Sequence, residues 1–463
     1  MSWTLKQLAH WCGGKVQPEF ENVEITAITT DSKKAAKGSL FVALIGEKHN
    51  AHKFIPDALK AGASAVLVSE PQDAAIAQIV VDNTHDAYGA LAAGYRTALE
   101  PVVVGITGSV GKTTTKEMTY AVLNTTYKTQ KSEGNHNNDI GVPMSILELP
   151  EDTQYAVLEM GMNHFGEMAY LTSISRPNIS VITNIGTSHI EYLGSRDGIL
   201  QAKMEIVQGM SKKDVLVLNG DEPLLWNQRE QSKLKTYFFG VENPLCDVLA
   251  EDIQQLDGGM SFRVRGMGHQ FEIFLPTDGI HAVYDALAAV TVGMLCRVKP
   301  ERMQQALSRF RNTGMRQEVS TVGNVTLIAD CYNASPESMD AELNVLGSWN
   351  CTGRRIAVLG DMLELGNRSM AEHYRIGRIA AQKADMVYTY GSYTKRLLTG
   401  CITGGMASEN CRHFETHEDL ARALEAIVKD GDVLLFKGSR GMKMENALEL
   451  LREKLKERQE KSV

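Results

Sequence analysis

A glycine-rich segment between a strand pattern and a helix pattern constrains the fold of this chain more than any other feature of its sequence. Val102–Ile106 is a short apolar run typical of a buried strand, residues 107–114 read TGSVGKTT, and a helical pattern begins near Thr115. A strand, a glycine loop and a helix in this order bind phosphate, because backbone N–H groups and the helix N-terminus face the anion. The sequence therefore predicts a parallel α/β sheet with a nucleotide bound at one edge.

Each part of this phosphate loop has an expected task. Gly108 and Gly111 let the backbone approach phosphate oxygens, Lys112 neutralises charge, and the Thr113 hydroxyl can ligate Mg²⁺. The loop departs from the general pattern G-x-x-x-x-G-K-[ST], because Ile106 occupies the place of the first glycine. The expected nucleotide-binding residues of the loop are Thr107, Gly108, Ser109, Val110, Gly111, Lys112, Thr113 and Thr114. The alternative is a glycine-rich turn that binds no ligand.

Strand and helix patterns divide the chain into three α/β parts. At 463 residues, and roughly 150 residues per domain, about three domains are expected. The predicted strands are Leu40–Ala43, Ala65–Val68 and Ile79–Val81; Val102–Ile106, Ala156–Leu158, Ser180–Thr183 and Val215–Leu218; and Thr326–Ala329, Arg355–Leu359, Met386–Tyr390 and Val433–Phe436. The fold class is α/β: a small N-terminal domain (1–84), a central P-loop ATPase-type parallel sheet (85–314) and a Rossmann-like C-terminal domain (315–463).

Charge and composition exclude several classes of protein. The formal net charge of -8 opposes an extended surface for nucleic acid or anionic membrane, which needs clustered Lys and Arg. No window approaches 18 apolar residues, and the N-terminus lacks the basic start and apolar core of a signal peptide. The seven cysteines have no CxxC spacing, so neither a zinc site nor a disulfide framework is indicated. We expect a cytoplasmic protein without nucleic-acid or membrane partners.

Polar residues follow two predicted strands near the phosphate loop. Glu159 directly follows the run Ala156–Leu158, and Asn184 and His189 follow the next strand. In open α/β sheets, ligands bind at the carboxyl ends of the strands. Glu159 and His189 therefore join Thr113 as an expected Mg²⁺ site, although each of them alone could be an ordinary loop residue.

Lys203 lies on the apolar stripe of a predicted helix that begins near Ser195. The stripe consists of Ile199, Leu200, Ile206, Val207 and Met210. A lysine in an apolar setting loses proton affinity, and its neutral amine can react with CO₂ to give a carbamate, an anionic ligand for a second metal ion. The alternative is a lysine that extends to the helix edge and reaches water.

Further segments resemble the ATP-dependent Mur ligases over nearly the whole chain. In addition to the phosphate loop, this resemblance rests on residues 134–143 (GNHNNDIGVP) and on residues 183–186 (TNIG), which are followed by His189. Within the family, five segments resemble the branch that adds D-alanyl-D-alanine to UDP-N-acetylmuramoyl-tripeptide: residues 30–32, 40–44, 330–339, 360–366 and 437–440. The family's phosphate loop has the shorter spacing seen here.

The resemblance implies a peptide-bond-forming ligase of peptidoglycan precursor synthesis. ATP would convert the tripeptide carboxylate to an acyl phosphate, which the amine of D-alanyl-D-alanine then displaces. The implied cofactors are ATP, two Mg²⁺ ions and a carbamylated Lys203. The implied metal ligands are Thr113, Glu159, His189 and Lys203, and the implied catalytic residues are Lys112, Glu159, His189 and Lys203. A monomer is expected.

The same resemblance implies contacts for the nucleotide and the two other substrates. The nucleotide would also contact His281, Asp285, Arg316, Asp330 and Tyr332. Asn135, Asn137 and Asn138 would line the acceptor site, while Ser32 and the region around His52 would hold the UDP end. Three positions depart from the usual family pattern: Asp285 stands for Asn, Lys33 for Arg, and Asn50-Ala51 for Asp-Gly.

Two other functions stay open at this point. Folylpolyglutamate synthase shares the phosphate loop and the metal ligands, but an N-terminal domain before the ATPase core argues against it. A nucleotide-binding switch without catalysis would keep the loop, but the Glu159, His189 and Lys203 set argues for turnover. The residues also leave open whether the third residue of the acceptor peptide is meso-diaminopimelate or L-lysine.

Overall fold

The computed structural model of this chain describes residues 2–46, 49–73, 75–312 and 314–460. Residue 1 and residues 461–463, at the outer ends of the first and third predicted domains, lie outside it. Three large sheets of five, nine and six strands follow one another along the described residues, together with one two-stranded pair. In these ranges no helix combines the length and the apolar composition that a membrane span requires.

The N-terminal part is built on the five-stranded sheet. Its elements are β1 (Trp3–Thr4), α1 (Leu5–Cys12), β2 (Lys15–Val16), β3 (Glu24–Ile25), β4 (Ala27–Thr29), β5 (Ser39–Val42), α2 (Ile55–Ala61), β6 (Ala65–Val68), β7 (Gln78–Val80) and α3 (Thr84–Leu99), with 3₁₀ turns at Pro18–Phe20, Ser32–Lys34 and Ala51–Phe54. The sheet order is β2-β7-β6-β5-β4, with β2 antiparallel and the rest parallel. The three predicted strands are confirmed to within one residue.

Helix α3 packs against two hydrophobic cores. It begins at Thr84, because the Asn83 side chain accepts hydrogen bonds from the N–H groups of His85 and Asp86 and caps the helix. Tyr88 and Leu91 are buried in the N-terminal core, whereas Ala92 belongs to the core under the central sheet. The helix therefore connects the first two parts of the chain by packing.

The central part contains the nine-stranded sheet. Its elements are β8 (Val102–Thr107), α4 (Lys112–Leu123), β9 (Thr129–Lys131), α5 (Gly141–Leu147), β10 (Tyr155–Glu159), α6 (Glu167–Ser175), β11 (Ile179–Ile182), α7 (Ile190–Leu193), α8 (Arg196–Met204), a 3₁₀ turn at Glu205–Gly209, β12 (Val215–Asn219), α9 (Pro223–Trp226), α10 (Gln228–Gln231), β13 (Lys235–Gly240), β14 (Val248–Leu256), β15 (Gly259–Gly266), β16 (His269–Leu275), α11 (Ile280–Leu295) and α12 (Pro300–Ser308). The order is β16-β15-β14-β13-β12-β11-β8-β10-β9.

In the sheet order, the seven strands from β14 to β9 are parallel to one another. Beyond β14 the sheet continues as the antiparallel strands β15 and β16, which the sequence analysis missed. Residues of β16 alternate between buried and exposed, as expected where one face of an antiparallel sheet meets water. Helices α4, α11 and α12 cover one face, and α5, α6 and α8 cover the other. Strand β8 lies inside the parallel region, flanked by β10 and β11.

The C-terminal part is a second, six-stranded α/β unit. Its elements are β17 (Glu318–Val322), β18 (Val325–Asp330), α13 (Pro336–Ser348), β19 (Arg355–Gly360), α14 (Ser369–Lys383), β20 (Met386–Tyr390), α15 (Thr394–Thr403), β21 (Cys411–Phe414), α16 (His417–Ile427), β22 (Val433–Lys437) and α17 (Met444–Glu460), with 3₁₀ turns at Gly366–Arg368, Ser408–Asn410 and Arg440–Met442. The order is β17-β18-β22-β19-β20-β21, and only β17 is antiparallel. All four predicted strands are confirmed.

Candidate functional site

A cavity of about 900 Å³ opens between the carboxyl edge of the central sheet and loops of the C-terminal part. The predicted site residues that line it are Ser109, Val110, Gly111, Lys112, Thr113, Thr114, Asn137, Asn138, Glu159, His189, His281, Asp285, Arg316, Asp330 and Tyr332. Its lining does not include Thr107, Gly108, Lys203, Asn135, Ser32 or His52. Most of the predicted nucleotide and metal residues therefore meet in one place.

Both glycines of the phosphate loop are required by close neighbours. A Cβ atom on Gly108 would lie 1.8 Å from Thr183 Oγ1, and one on Gly111 would lie 2.4 Å from Asp285 Oδ1. Gly111 also has a φ of +83°, a conformation that side chains disfavour. A larger residue at either position would push the loop away from its neighbours.

The loop is held in shape by the residues that follow β11. Asn184 Oδ1 accepts hydrogen bonds from Ser109 N at 3.1 Å and Val110 N at 3.0 Å, and Thr183 Oγ1 donates to Val110 O at 2.6 Å. These contacts occupy two loop N–H groups, so the groups left for an anion belong to residues 111–114. In the described ranges, those four N–H groups have no protein acceptor. Helix α4 was expected to begin near Thr115, but it begins at Lys112. Its open N-terminus is therefore part of the loop.

Lys112 lies over the loop. Its Nζ donates to Gly108 O at 2.9 Å, and burial lowers the pKa of its ammonium group, while Glu159 acts in the opposite direction. Backbone carbonyls are weak partners for a cation compared with phosphate. The ammonium group is therefore available to a bound nucleotide.

Thr113, Glu159 and Asn137 form a hydrogen-bonded cluster beside the loop. Thr113 Oγ1 donates to Glu159 Oε2 at 2.5 Å, and Asn137 Nδ2 donates to Glu159 Oε1 at 2.8 Å. Glu159 is 1% exposed at the end of β10. A hydroxyl and a carboxylate oxygen fit Mg²⁺, which is usually bound by one or two protein oxygens together with substrate phosphates and water. The described residues contain no group of three or more His, Cys, Asp and Glu side chains placed to hold a metal ion.

His189 reaches the same cavity but contacts the C-terminal part. Its Nδ1 lies 2.6 Å from Glu364 Oε2, an ion-pair distance. The backbone of His189 is left-handed, with a φ of +62°. The structure therefore places His189 at the junction of the two α/β units, without a direct contact to Thr113 or Glu159.

Lys203 is 2% exposed on α8. Burial lowers the pKa of its ammonium group well below its ordinary value, and the charge of nearby Lys112 lowers it further. Within the described part of the chain, the side-chain amine of Lys203 donates no hydrogen bond. The apolar environment expected from the sequence is present, but the predicted helix is shorter than expected, because a 3₁₀ turn replaces its last five residues.

Three of the predicted nucleotide contacts lie on the C-terminal side of the cavity, and His281 of α11 faces them from the central part. The Arg316 guanidinium lies 3.8 Å from the centre of the Tyr332 ring, and Lys437 Nζ forms a buried ion pair with Asp330. His281 Nε2 lies 3.4 Å from Glu342 Oε1. Burial lowers the pKa of His281 to about 4 and raises that of Glu342, so burial favours the neutral form of both groups.

Asp285, which departs from the family pattern, is buried next to the loop. It accepts a hydrogen bond from Thr115 Oγ1 at 2.9 Å. Burial raises the pKa of its carboxyl group to about 8. At neutral pH the group is therefore mostly protonated and carries no charge, as an asparagine at this position would.

The two predicted UDP contacts lie in the N-terminal part, outside the cavity. The ring of His52 is already used: Nδ1 lies 2.8 Å from Asn50 Oδ1, and Nε2 accepts from Ser69 N at 3.1 Å. Burial lowers the pKa of His52. Ser32 begins a 3₁₀ turn and is partly exposed. In this structure His52 positions a loop, and Asn50, one of the unusual residues, holds its ring.

Sequence reasoning missed Lys116, one helical turn beyond Lys112. Lys116 is fully buried and donates to Ser132 O at 2.8 Å and Gly134 O at 3.0 Å, which positions the loop that carries Asn137. Its Nζ also lies 4.0 Å from Glu159 Oε2. The spacing of four residues from Lys112 places both lysines on one helix face, and that signal could have identified it.

Comparisons with known proteins cover the same regions. Residues 24–96 match the Mur ligase family, catalytic domain; residues 106–293 match the Mur ligase middle domain; and residues 315–440 match the Mur ligase, glutamate ligase domain. The UDP-N-acetylmuramoyl-tripeptide--D-alanyl-D-alanine ligase of Bacillus subtilis (strain 168) is 40% identical over 450 residues, which are 96% of each chain.

Two solved structures show the same architecture. A crystal structure of MurF from Acinetobacter baumannii superposes with a TM-score of 0.90 at 34% identity, covering 98% of this chain and 99% of that one. The structure of MurF ligase from Thermotoga maritima in complex with ADP gives a TM-score of 0.84 at 29% identity, with coverages of 93% and 98%.

Proposed function

The chain belongs to the Mur ligase family, and from that premise we propose that it joins D-alanyl-D-alanine to UDP-N-acetylmuramoyl-tripeptide with ATP as the energy source, in peptidoglycan precursor synthesis. The observation that carries the proposal is the Thr113, Glu159 and Asn137 cluster, which lies beside the open phosphate loop and under the C-terminal loops. The relative from Bacillus subtilis bears the name of this activity, and the relative from Thermotoga maritima binds ADP.

The reaction has two displacements. A carboxylate oxygen of the tripeptide attacks the γ-phosphorus of ATP, the bond to ADP breaks, and an acyl phosphate forms. The deprotonated amine of D-alanyl-D-alanine then attacks the acyl carbon, and phosphate leaves with the original carboxylate oxygen. No protein nucleophile is needed, so catalysis rests on positioning and on charge neutralisation between anions.

The residues around the loop suit these tasks. Lys112 and the free N–H groups of residues 111–114 neutralise phosphate oxygens, and Asn137 can orient the acceptor carboxylate. Mg²⁺, when bound, neutralises the charge that develops on the transferred phosphoryl group. Thr113 and Glu159 would hold one Mg²⁺ ion, while His189 and a carbamylated Lys203 would provide ligands for a second.

The carbamate on Lys203 is a proposal supported by burial. The neutral amine, which burial favours, adds to CO₂, and the product is a carbamate anion and one proton. The Lys203→Ala variant is expected to lose nearly all activity and to recover part of it with short carboxylates, whereas Lys212→Ala, at an exposed site, keeps full activity. Carbon-13 bicarbonate should give a carbamate resonance in the wild type alone. A fully active Lys203→Ala variant, or the same resonance in that variant, would remove the carbamate from the mechanism.

Three domains with separate tasks complete the proposal. We place their boundaries at residues 84 and 314, with the first domain binding UDP, the second ATP and the third the amine. His189 and Glu364 meet across the second boundary, which suggests that closure assembles the site. X-ray scattering should show a more compact particle when an ATP analogue and the UDP-tripeptide are added together. A monomer in the cytoplasm stays the prediction from the sequence.

Phosphate release tests the proposed function. Release is expected only when ATP, a UDP-muramoyl-tripeptide and D-alanyl-D-alanine are all present, and mass spectrometry should show the UDP-pentapeptide. Folate with glutamate should give no release, which separates this function from that of folylpolyglutamate synthase. A nucleotide-binding switch would release no phosphate in response to either acceptor. Tripeptides with meso-diaminopimelate and with L-lysine, assayed side by side, identify the natural third residue.

A further inference from the structure

A fully buried lysine on α4 contacts the loop that leads to the acceptor side of the large cavity. This acceptor loop, residues 132–138, lies between β9 and α5 and carries Asn137. The Lys116 side chain is 0% exposed, and its Nζ donates to Ser132 O at 2.8 Å and to Gly134 O at 3.0 Å. Lys116 is not among the residues that line the large cavity. It therefore contacts the loop from behind and leaves the cavity to the substrates.

The acceptor loop in turn contacts the residues that face the cavity. Ser132 Oγ accepts a hydrogen bond from Glu159 N at 3.0 Å, and Asn137 Nδ2 donates to Glu159 Oε1 at 2.8 Å. Asn137 O accepts from Gly161 N at 2.8 Å. Both ends of the loop are thus joined to the end of β10, where the Glu159 carboxylate also meets the Thr113 hydroxyl. A shift of the loop would therefore move Asn137 relative to the reacting groups and disturb Glu159.

The middle of the acceptor loop lies at the surface. Glu133, Gly134 and Asn135 are exposed, and Gly134 has a φ of +51°. Exposed loop backbone opens readily unless buried groups hold it. The ammonium group of Lys116 is such a buried group, because its contact with Gly134 O joins the exposed stretch to α4. Without this contact we expect the loop to sample other positions.

Two carboxylates beside Lys116 offset the cost of burying its charge. Nζ lies 3.2 Å from Glu117 Oε1 and 4.0 Å from Glu159 Oε2, and Glu117 also pairs with Lys131. Buried ion pairs lose hydration, and apolar residues of similar volume often give equal or greater stability in their place. Stability alone therefore gives little reason for a lysine at this position, whereas the geometry of the acceptor loop gives one.

We propose that Lys116 is a positioning residue for the acceptor substrate: it fixes the acceptor loop so that Asn137 and Glu159 face the reacting carboxylate. This inference rests on the proposed function, in which that carboxylate belongs to the UDP-tripeptide. The nucleotide is bound by Lys112 and by the N–H groups of residues 111–114, which do not contact the acceptor loop. Loss of the Lys116 contacts should therefore weaken binding of the acceptor and spare the nucleotide.

The test measures KM for the UDP-tripeptide and for ATP in Lys116→Met, each at saturating concentrations of the other substrates. This change keeps the volume of the side chain and removes its charge and its donors. KM for the UDP-tripeptide should rise roughly ten-fold or more, as expected for loss of hydrogen bonds from a charged donor, while KM for ATP changes less than about two-fold. Lys116→Arg, which keeps the charge and the donors, should recover part of the loss.

A double variant tests whether Lys116 acts through the acceptor loop. In an Asn137→Ala background, Lys116→Met should have little further effect on KM for the UDP-tripeptide, because both changes act on the same group. The matched control is Lys131→Met, which removes the other lysine from Glu117 without removing a contact to a loop carbonyl. It should keep both KM values. Equal increases in both KM values of Lys116→Met, unchanged values, or effects that add to those of Asn137→Ala would overturn the inference.

Hydrogen exchange gives a readout that needs no substrate. Amides of residues 133–138 should exchange faster in Lys116→Met and at the wild-type rate in Lys131→Met. Lys116→Gln, whose shorter amide reaches at most one of the two carbonyls, should show the same pattern at smaller size if Lys116→Met does not fold. Failure of both variants to fold would assign Lys116 to stability and overturn the inference. A wild type that makes no product from D-alanyl-D-alanine would overturn the proposed function, while exchange would still show whether Lys116 holds the loop.

Discussion

At the carboxyl edges of both the central and the C-terminal sheet, a strand leads through a loop into a helix. The N-termini of these helices differ: one is open and the other is capped by side chains. At α4, Gly111 gives no side-chain cap, and the first N–H groups have no protein acceptor in the described part of the chain. At α13, Ser335 and Ser338 form a reciprocal capping box, and Pro336 follows Ser335. An α/β edge therefore binds phosphate only where the helix N-terminus is left open, and a capped edge must bind its ligand through side chains.

Each edge also contains a lysine: Lys112 is half-buried at the central sheet, and Lys437 is buried at the C-terminal sheet. Lys112 donates to backbone carbonyls of the loop, so its charge stays available to a ligand. Lys437, by contrast, forms an ion pair with Asp330 and donates to Asn333 O at 3.2 Å. We infer that the first lysine serves chemistry and the second serves the fold.

The Lys112→Met variant should lose activity without losing stability, which tests the role inferred for the first lysine. Phosphate release is expected to fall by roughly 10²–10³-fold, because the positive charge that Lys112 provides to the phosphate is lost. Thermal stability should stay equal or rise, because a partly desolvated ammonium group with a lowered pKa is removed. Steady-state assays and calorimetry measure both quantities. A variant with normal turnover would show that the open loop alone is sufficient.

The Lys437→Met variant should have its main effect on stability. Removing one partner leaves Asp330 buried without its cation, which is expected to cost about 3–5 kcal/mol. Hydrogen exchange in β18 and β22 should report the local loss, and the double variant Lys437→Met with Asp330→Asn should recover part of it. Unchanged exchange in both strands would contradict a structural role for this pair.

The Asp285→Asn variant tests the residue that departs from the family pattern. Burial raises the pKa of Asp285 from 3.8 to about 8, so its stabilising contribution is complete below pH 3.8 and is lost as the pH rises to about 8. Asparagine carries no charge at any of these values. The variant should therefore match the wild type near pH 4 and exceed its stability by up to about 5 kcal/mol at pH 9, because each unit of pKa shift corresponds to about 1.4 kcal/mol. Parallel curves of melting temperature against pH would show that Asp285 is ionised when folded.

The Ser335→Ala variant should have the smallest effect, confined to the capped edge. Loss of an N-terminal cap costs about 1 kcal/mol, so α13 should exchange its first amides faster while the phosphate loop is unaffected. Thr416→Ala, which removes the equivalent cap from α16, is the matched control for a helix far from the cavity. A loss of ATP binding in Ser335→Ala that Thr416→Ala does not share would contradict an effect confined to the capped edge.

The sequence predicted the features that depend on neighbouring residues. The phosphate loop, the strands around it and the apolar setting of Lys203 all follow from local patterns. The Lys116 contacts and the exchange of hydrogen bonds between Asn184 and the loop depend on how separate strands meet. The pairing of His189 with Glu364 joins residues of two sheets, which no local pattern encodes. The expectation that the region around His52 holds the UDP end stays a prediction, whereas the ring's partners Asn50 and Ser69 become visible only in the fold.

The central claim is that the open loop activates a carboxylate by phosphorylation, and isotope transfer tests it most directly. The enzyme is incubated with ATP, D-alanyl-D-alanine and a UDP-tripeptide whose terminal carboxylate is labelled with oxygen-18. The account predicts that each released phosphate carries one labelled oxygen, because that oxygen leaves the acyl phosphate with phosphorus. Unlabelled phosphate together with the peptide product would contradict it.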